Sequence, residues 1–366
     1  MRALLIYHHF GPYHAARWRH LQPVAAAAGI EMLGLQVFAA GGPYRWGAAG
    51  ALPGVRELGL HSTGDEQLRW RDAPRLLRAL TAAAPDVVAI NGWGTRDALL
   101  AHGWCRARGV ARVLVSDSLD PGKNAGLVRE PIKRAALRGV GAALVGGAPH
   151  RRYVQHLGVP ADRIREGCDV VDNAHFAAAG SARGEPGRRL LTVARLSAEK
   201  NLLAAAEAFL EFAAARPRNE DWSWTLAGYG PLEAVLQGVA ARSDGRIRLS
   251  GAVDYAALPA AFAAADLYWQ PSVRDSWALA VNEAMAAGLP VLVSNRCGCS
   301  EDLVTPDTGW SFDPGRPGAL REALAAAARE HWRWPTMGQN AARHVEAWGL
   351  DRFSRELLAT LRMALA

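Results

Sequence analysis

The feature that most constrains this chain is a pattern that occurs twice. Short apolar runs alternate with stretches of helical periodicity, break at the small, Pro/Gly-rich segment AAAGSARGEPGRR (residues 177–189), and then resume. Alternation of this kind predicts parallel strands joined by crossover helices, and the break predicts a boundary between two such units. In the first half, strands are expected at 3–6, 32–37, 87–90, 113–115 and 142–145, and helices at 13–28, 66–83, 95–108, 126–137 and 149–157. In the second half, strands are expected at 190–194, 223–227, 247–249, 267–269 and 291–293, and helices at 202–215, 231–241, 255–264, 277–287 and 317–330. A chain of 366 residues, half of them apolar, can fill two cores. The predicted organisation is an α/β chain with one doubly wound domain at 1–176, a linker at 177–189 and a second domain at 190–345. The last segment, 346–366, holds an amphipathic helix at 351–365 that either caps the second domain or reaches back onto the first.

Charge separates the halves. Residues 1–175 carry 22 Lys and Arg against 14 Asp and Glu, whereas residues 176–366 carry 20 against 21. The excess falls on predicted helices, at Arg17-Trp18-Arg19, at Arg69-Trp70-Arg71 with Arg75 and Arg78, and at Arg129, Lys133, Arg134 and Arg138. Apolar residues interleave with these cations, the pattern of a helix resting on an anionic membrane surface, with Trp18 and Trp70 as its anchors. A solvated basic face is the alternative. No nucleic-acid-binding motif accompanies the charge. MRALLIYHHF reads as a first strand and not as a signal peptide, no apolar run is long enough to span a bilayer, and four cysteines are too few for a disulfide scaffold. A cytoplasmic protein, peripheral at the inner face of the plasma membrane, is expected. Cys297-Gly298-Cys299 reads as a tight turn, because no second ligand pair supports a metal there.

Three strand ends in the second half point to one crevice, as expected for ligands at the carboxyl ends of parallel strands. LTVARLSAEKNL (191–202) puts two cations, Arg195 and Lys200, on a loop after a strand, which suits a diphosphate. LAGYGPLEAVL (226–236) has Gly228 and Gly230, which let a backbone pass close by a ligand, although a structural turn would need them equally. PSVRDSWALAVNEAMAAGLPVLVS (271–294) places Asp275 and Glu283 eight positions apart around the start of a small-residue helix. The helix N-terminus suits a phosphate, and carboxylates beside it accept hydrogen bonds from hydroxyls of a ribose or a sugar ring. The combination predicts a nucleotide-sugar site.

The order of these segments, with LSGAV, AAADLYWQPS and SEDLV between and after them, resembles the retaining glycosyltransferases of family 4, which have the GT-B fold: two Rossmann-like doubly wound domains facing a central cleft. The resemblance is strong over 188–330 and weaker before that, where HHFGPYHAARWRHL and VVDNAHF still fit. It implies a hexosyltransferase-type enzyme that needs no metal and no cofactor, with a UDP- or GDP-type sugar as substrate. Arg195 and Lys200 would neutralise the leaving diphosphate, Glu283 would hold the ribose diol, and Asp275 would contact hydroxyls of the sugar. Backbone N–H groups near Ser276, Trp277 and Ala278 would bind phosphate, and Gly11 would line the cleft. The first domain would bind the acceptor, expected to be a lipid-linked or membrane-proximal glycan in polysaccharide or cell-envelope assembly. A small soluble acceptor and a non-catalytic nucleotide-sugar-binding protein are the alternatives.

The chain departs from the family pattern in informative places. The first acid is Asp275 instead of Glu, the usual Gly-Phe-Gly is Ser276-Trp277-Ala278, and one glycine of a later Gly-Gly turn is Cys297. Where many members carry a His after a central strand, this chain has Ser116, Asp117 and Ser118. Asp117, His14 and His9 are candidates to replace it. His8 at the end of the first strand, Asn91 in the turn Asn91-Gly92-Trp93-Gly94, and His150 at a helix start are further candidates for the cleft or acceptor.

Overall fold

The computed structural model describes residues 1–39, 50–62, 67–120, 129–177, 187–217 and 220–366. The beginnings of the helices expected at 66 and 126, and most of the expected linker, lie outside the described residues. Two compact units emerge, one comprising Met1–Val170 with Leu350–Ala366 and the other Val171–Gly349.

Among the described residues, the first unit holds seven parallel strands: β1 (Arg2–Tyr7), β2 (Glu31–Phe38), β3 (Val55–Leu60), β4 (Val87–Asn91), β5 (Ala111–Ser116), β6 (Ala142–Val145) and β7 (Ile164–Glu166). Their order is β3-β2-β1-β4-β5-β6-β7. The described connections between them include α1 (Pro12–Ala27), α2 (Ala73–Ala83), α3 (Arg96–Arg108), α4 (Arg129–Leu137) and α5 (Ala148–His156). The central strands are buried on both faces, which is why they read as near-continuous apolar runs. β3 and β7 escaped the sequence reading. β3 lies at the sheet edge, with an intermittent burial pattern and two charged residues, and β7 has only three residues.

The second unit repeats the plan with β8 (Arg189–Val193), β9 (Ser223–Ala227), β10 (Ile247–Gly251), β11 (Leu267–Gln270), β12 (Val291–Ser294) and β13 (Gly309–Phe312), ordered β10-β9-β8-β11-β12-β13 and all parallel. Its helices are α6 (Asn173–Ala177), α7 (Leu202–Ala214), α8 (Glu233–Ala241), α9 (Leu258–Ala263), α10 (Leu279–Ala286), α11 (Ser300–Leu303), α12 (Ala319–Arg329) and α13 (Trp334–Glu346). The core is aromatic, with Trp224, Trp269, Trp334, Phe209 and Phe212 packed together. The units divide at 170/171, ahead of the expected boundary at 176/177, because Phe176 on α6 packs against Tyr255 and Phe262 of the second unit.

The last helix, α14 (Leu350–Leu365), packs on the first unit. Phe353, Leu357, Leu358 and Leu361 join the core formed by Trp18, Leu21 and the inner face of the sheet. Polar contacts at the rim fix its register. Ser354 Oγ lies 2.9 Å from His20 Nδ1, and Arg163 donates to the carbonyl of Met363 at 3.1 Å. Of the two placements open to the sequence, burial of this apolar stripe against α1 is the one realised.

Candidate functional site

In each sheet the strand order reverses direction between two neighbours, β1 and β4 in the first unit and β8 and β11 in the second. Loops leaving such neighbours diverge to opposite faces and open a crevice. In the second unit, the loop after β8 carries Arg195 and Lys200, and the loop after β11 carries Asp275. Lys200 Nζ lies 2.6 Å from Asp275 Oδ2, with the two side chains 18% and 11% exposed. The loops are also joined through their backbones. Val273 N–H donates to Glu199 O at 2.9 Å, and the Asn201 amide donates to Pro271 O at 3.2 Å. The Ser197 hydroxyl bonds the Glu199 carboxylate at 2.5 Å and is the main cause of its lowered pKa, which Lys200 and Arg195 lower further. The loop is thus a dense cluster of charge, suited to exchange partners when an anionic ligand arrives.

Gly228 and Gly230 shape this loop. A Cβ on Gly228 would lie 1.8 Å from Ala194 O, and one on Gly230 would lie 2.5 Å from Leu196 O. Leu196 N–H donates to Tyr229 O at 2.9 Å and Leu232 N–H donates to Leu196 O at 2.9 Å. The backbone that these glycines admit is therefore the segment around Arg195.

The helix expected at 277–287 begins at Leu279 as α10, with Ala278 just before it at φ +77°. That left-handed conformation suits glycine and strains alanine, which gives a physical reason for a glycine at this position in the motif it resembles. The Trp277 side chain is buried. Its indole N–H donates to Asn282 Oδ1 at 2.8 Å and its ring lies 5.1 Å from that of Trp348, so the side chain serves the core and only its backbone is left for a phosphate. The Asp275 strip pairs with the Cys297-Gly298-Cys299 turn. Gly298 N–H donates to Asp275 O and Cys299 N–H to Trp277 O, both at 3.1 Å. The turn is structural, and both thiols are buried with pKa values pushed well up, chiefly by burial. Glu283 on α10 is fully buried, and Ser276 lies between Asp275 and Trp277 on the loop.

Behind Asp275 is a group of polar residues that the sequence reading passed over. Gln270, 2% exposed, donates from Nε2 to Ser272 Oγ at 2.8 Å and to Asp275 Oδ2 at 3.3 Å, and the Tyr268 hydroxyl donates to Gln270 Oε1 at 2.5 Å. The available signal was a polar residue closing the otherwise apolar strand Leu-Tyr-Trp-Gln.

In the first unit, a cavity of about 370 Å³ opens at the carboxyl ends of β1, β4 and β5. It brings together His9, His14, Asn91 and Asp117 of the expected residues, with His8. Gly11 is the N-cap of α1. His150 is not among the cavity's lining residues. It is buried at the start of α5, where its Nδ1 accepts from Gly147 N–H at 3.1 Å as a cap. Trp93 is buried against Tyr153. Tyr7, Arg17, Ser116, Cys168 and Asp169 also line the cavity. Cys168 and Asp169 could not be anticipated from the residues because they follow the unpredicted β7. Arg17 and Trp18 leave the expected basic surface. The Arg17 guanidinium donates twice to Val170 O, at 2.8 and 3.0 Å, and Trp18 is 1% exposed with its indole N–H on Pro53 O. The cause is that this face of α1 packs on the sheet. Trp70 is 63% exposed. Among the described residues, no helix is long and apolar enough to cross a membrane.

His14 and His102 give the fold a pH dependence. Burial is the main cause lowering both from 6.5, His14 to about 3 with help from Arg17, His9 and His8, and His102 to about 4. In the unfolded chain both take a proton near 6.5, so the unfolded state binds more protons below that value, and stability falls as the pH drops from 6.5 toward 4 and 3. His14→Phe keeps the ring packed on Tyr7, 4.3 Å away, and removes the titration. Melting temperatures are expected to fall less steeply for this variant than for the parent on acidification through that window. Parallel curves would refute the assignment.

Residues 177–344 match the family model described as "Glycosyl transferases group 1". The chain is 26% identical over 352 residues to the D-inositol 3-phosphate glycosyltransferase of Rhodococcus jostii, covering 86% of this chain and 76% of that protein. It is 31% identical over 175 residues to a GDP-mannose-dependent alpha-(1-6)-phosphatidylinositol dimannoside mannosyltransferase of Mycobacterium tuberculosis, covering 47% of this chain and 43% of that protein. The crystal structure of HepE from Anabaena, in complex with UDP, superposes with a TM-score of 0.75 over 99% of this chain and 100% of that one, at 16% identity. Two doubly wound units, with a second unit that matches the group 1 glycosyl transferase model over residues 177–344, give this chain the fold of the GT-B glycosyltransferases.

Proposed function

We propose that the protein transfers a sugar, with retention and without a metal, from a UDP- or GDP-type donor to a hydroxyl of a lipid-linked or membrane-proximal glycan. The observation that carries this reading is the Lys200–Asp275 pair at the reversal of the second sheet, with buried Glu283 on the adjacent helix. The acceptor oxygen attacks the anomeric carbon as the bond to the diphosphate breaks, and the acceptor proton passes to the leaving phosphate oxygen. Arg195 and Lys200 stabilise the charge that grows on the diphosphate, an interaction stronger in the transition state than in the ground state. Asp275 orients hydroxyls of the sugar, Glu283 the ribose diol, and backbone N–H groups at Ser276–Ala278 the phosphate, with Gly228 and Gly230 holding the cation loop in place.

The first unit takes the acceptor in its cavity, with His9, His14, Asn91 and Asp117 as polar contacts and Gly11 at the start of α1. Exposed Trp70 and Ile132, on or beside helices rich in Arg, favour contact with an anionic membrane at the cytoplasmic face. The names of relatives support such an acceptor: the mycobacterial one is a phosphatidylinositol dimannoside mannosyltransferase. HepE has been solved with UDP-glucose, which supports a nucleotide-sugar donor.

The test is thermal stabilisation by a panel of nucleoside diphosphates and their sugars, with and without EDTA. One nucleotide and its sugar are expected to raise the melting temperature, unchanged by EDTA, because ligand binding to the native state stabilises it by mass action. No shift with any of them would reject the donor site.

A further inference from the structure

Asp275 has two partners on one oxygen. Oδ2 accepts from Lys200 Nζ at 2.6 Å and from Gln270 Nε2 at 3.3 Å. The two donors differ in what else they can do. Lys200 is a cation on a long, flexible stem, and a diphosphate arriving at its loop competes with Asp275 for the same charge. Gln270 is 2% exposed and is held at both ends of its amide: Oε1 accepts from the Tyr268 hydroxyl at 2.5 Å, and Nε2 donates to Ser272 Oγ at 2.8 Å. Tyr268 and Ser272 are fully buried. A carboxylate can only accept, so the amide edge facing Asp275 must be the N–H edge, and the tyrosine on the far side supplies the donor that this orientation requires. Gln270 is fixed by buried partners, whereas Lys200, 18% exposed on a flexible stem, can exchange Asp275 for another anion.

Asp275 is also one methylene shorter than the glutamate usual at this place, so it reaches less far and tolerates less rotation. A donor fixed behind it sets the direction of its second oxygen, Oδ1. Resting on the proposed donor site, we infer that Gln270 is a positioning residue that keeps Asp275 aimed at the hydroxyls of the transferred sugar when Lys200 turns to the diphosphate. It sets affinity and selectivity for the sugar and leaves the nucleotide untouched.

Gln270→Met keeps chain length and volume and removes the amide. It is expected to weaken binding of the nucleotide sugar by about tenfold, the worth of one hydrogen bond to a charged group, and to narrow the discrimination between donor sugars. Affinity for the free nucleoside diphosphate is expected to stay within twofold of the parent's. In an Asp275→Asn background, Gln270→Met is expected to add little further loss, because the amide acts through the carboxylate. Gln270→Glu puts a second carboxyl beside Asp275 and is expected to shift the acid limb of the transfer rate to higher pH. Equal losses for nucleotide and nucleotide sugar, or the same tenfold loss in the Asp275→Asn background, would overturn the inference and leave the donor site standing. A parent protein that binds no nucleotide would instead overturn the donor site, and this inference with it.

Discussion

Lys200→Ala is expected to lower the rate of sugar transfer by about 10²–10³-fold, the range found when one preorganised charge-stabilising donor is removed from a developing anion. The loss should appear in the rate of the chemical step more than in donor affinity, since the cation matters most when the leaving diphosphate has gained charge. The fold should survive. Lys200 leaves a carboxylate that is still 11% exposed and still bonded by Gln270, so the melting temperature is expected to drop by a few degrees only. Arg195→Ala should act in the same direction. Single-turnover transfer, with circular dichroism as a control for folding, measures both. Rates within fivefold of the parent in both variants would remove these residues from the reaction.

Gly228→Ala should show the largest effect on stability. Its Cβ would lie 1.8 Å from Ala194 O, a backbone atom, and the two residues lie just past the carboxyl ends of neighbouring strands β9 and β8. Neither can move without breaking the ladder, which includes Ala194 N–H on Ala227 O at 3.0 Å. Overpacking and an unfavourable φ together are expected to destabilise by about 3–4 kcal/mol, roughly 10 °C in melting temperature for a unit of this size. Because the displaced segment carries Arg195, any folded remainder is also expected to transfer poorly. Gly238→Ala is the control: it lies on α8 with nothing within 4 Å of its added Cβ and should be neutral or stabilising by up to about 1 kcal/mol. Comparable losses in the two variants would reject the close-approach account.

These two cases mark what could be read from residues alone. Arg195, Lys200 and Asp275 could be singled out because each follows the end of a strand, where polar residues stand out against apolar runs, and Glu283 because it lies eight positions beyond Asp275 on the helix that follows. Gly228 was legible as a special position but not its partner, since Ala194 follows another strand far away in the sequence. The helix start at Leu279, two residues later than expected, depends on the left-handed turn at Ala278, which alanine does not announce. Gln270 was invisible as a contributor because its meaning comes from Tyr268, Ser272 and Asp275 arranged around it.

The amino-acid sequence by itself determined two parallel α/β units, because apolar runs of strand length and helical periodicity are local properties that repeat along the chain. It also determined which chemistry is clustered at the strand ends of the second unit. Only the tertiary structure decided that α14 packs on the first unit, that Arg17 and Trp18 are buried while Trp70 is exposed, and that Lys200 pairs with Asp275. Each of these depends on which surfaces meet across long stretches of chain. A basic amphipathic helix carries the same pattern whether its apolar stripe faces a sheet or a membrane, and only packing distinguishes the two.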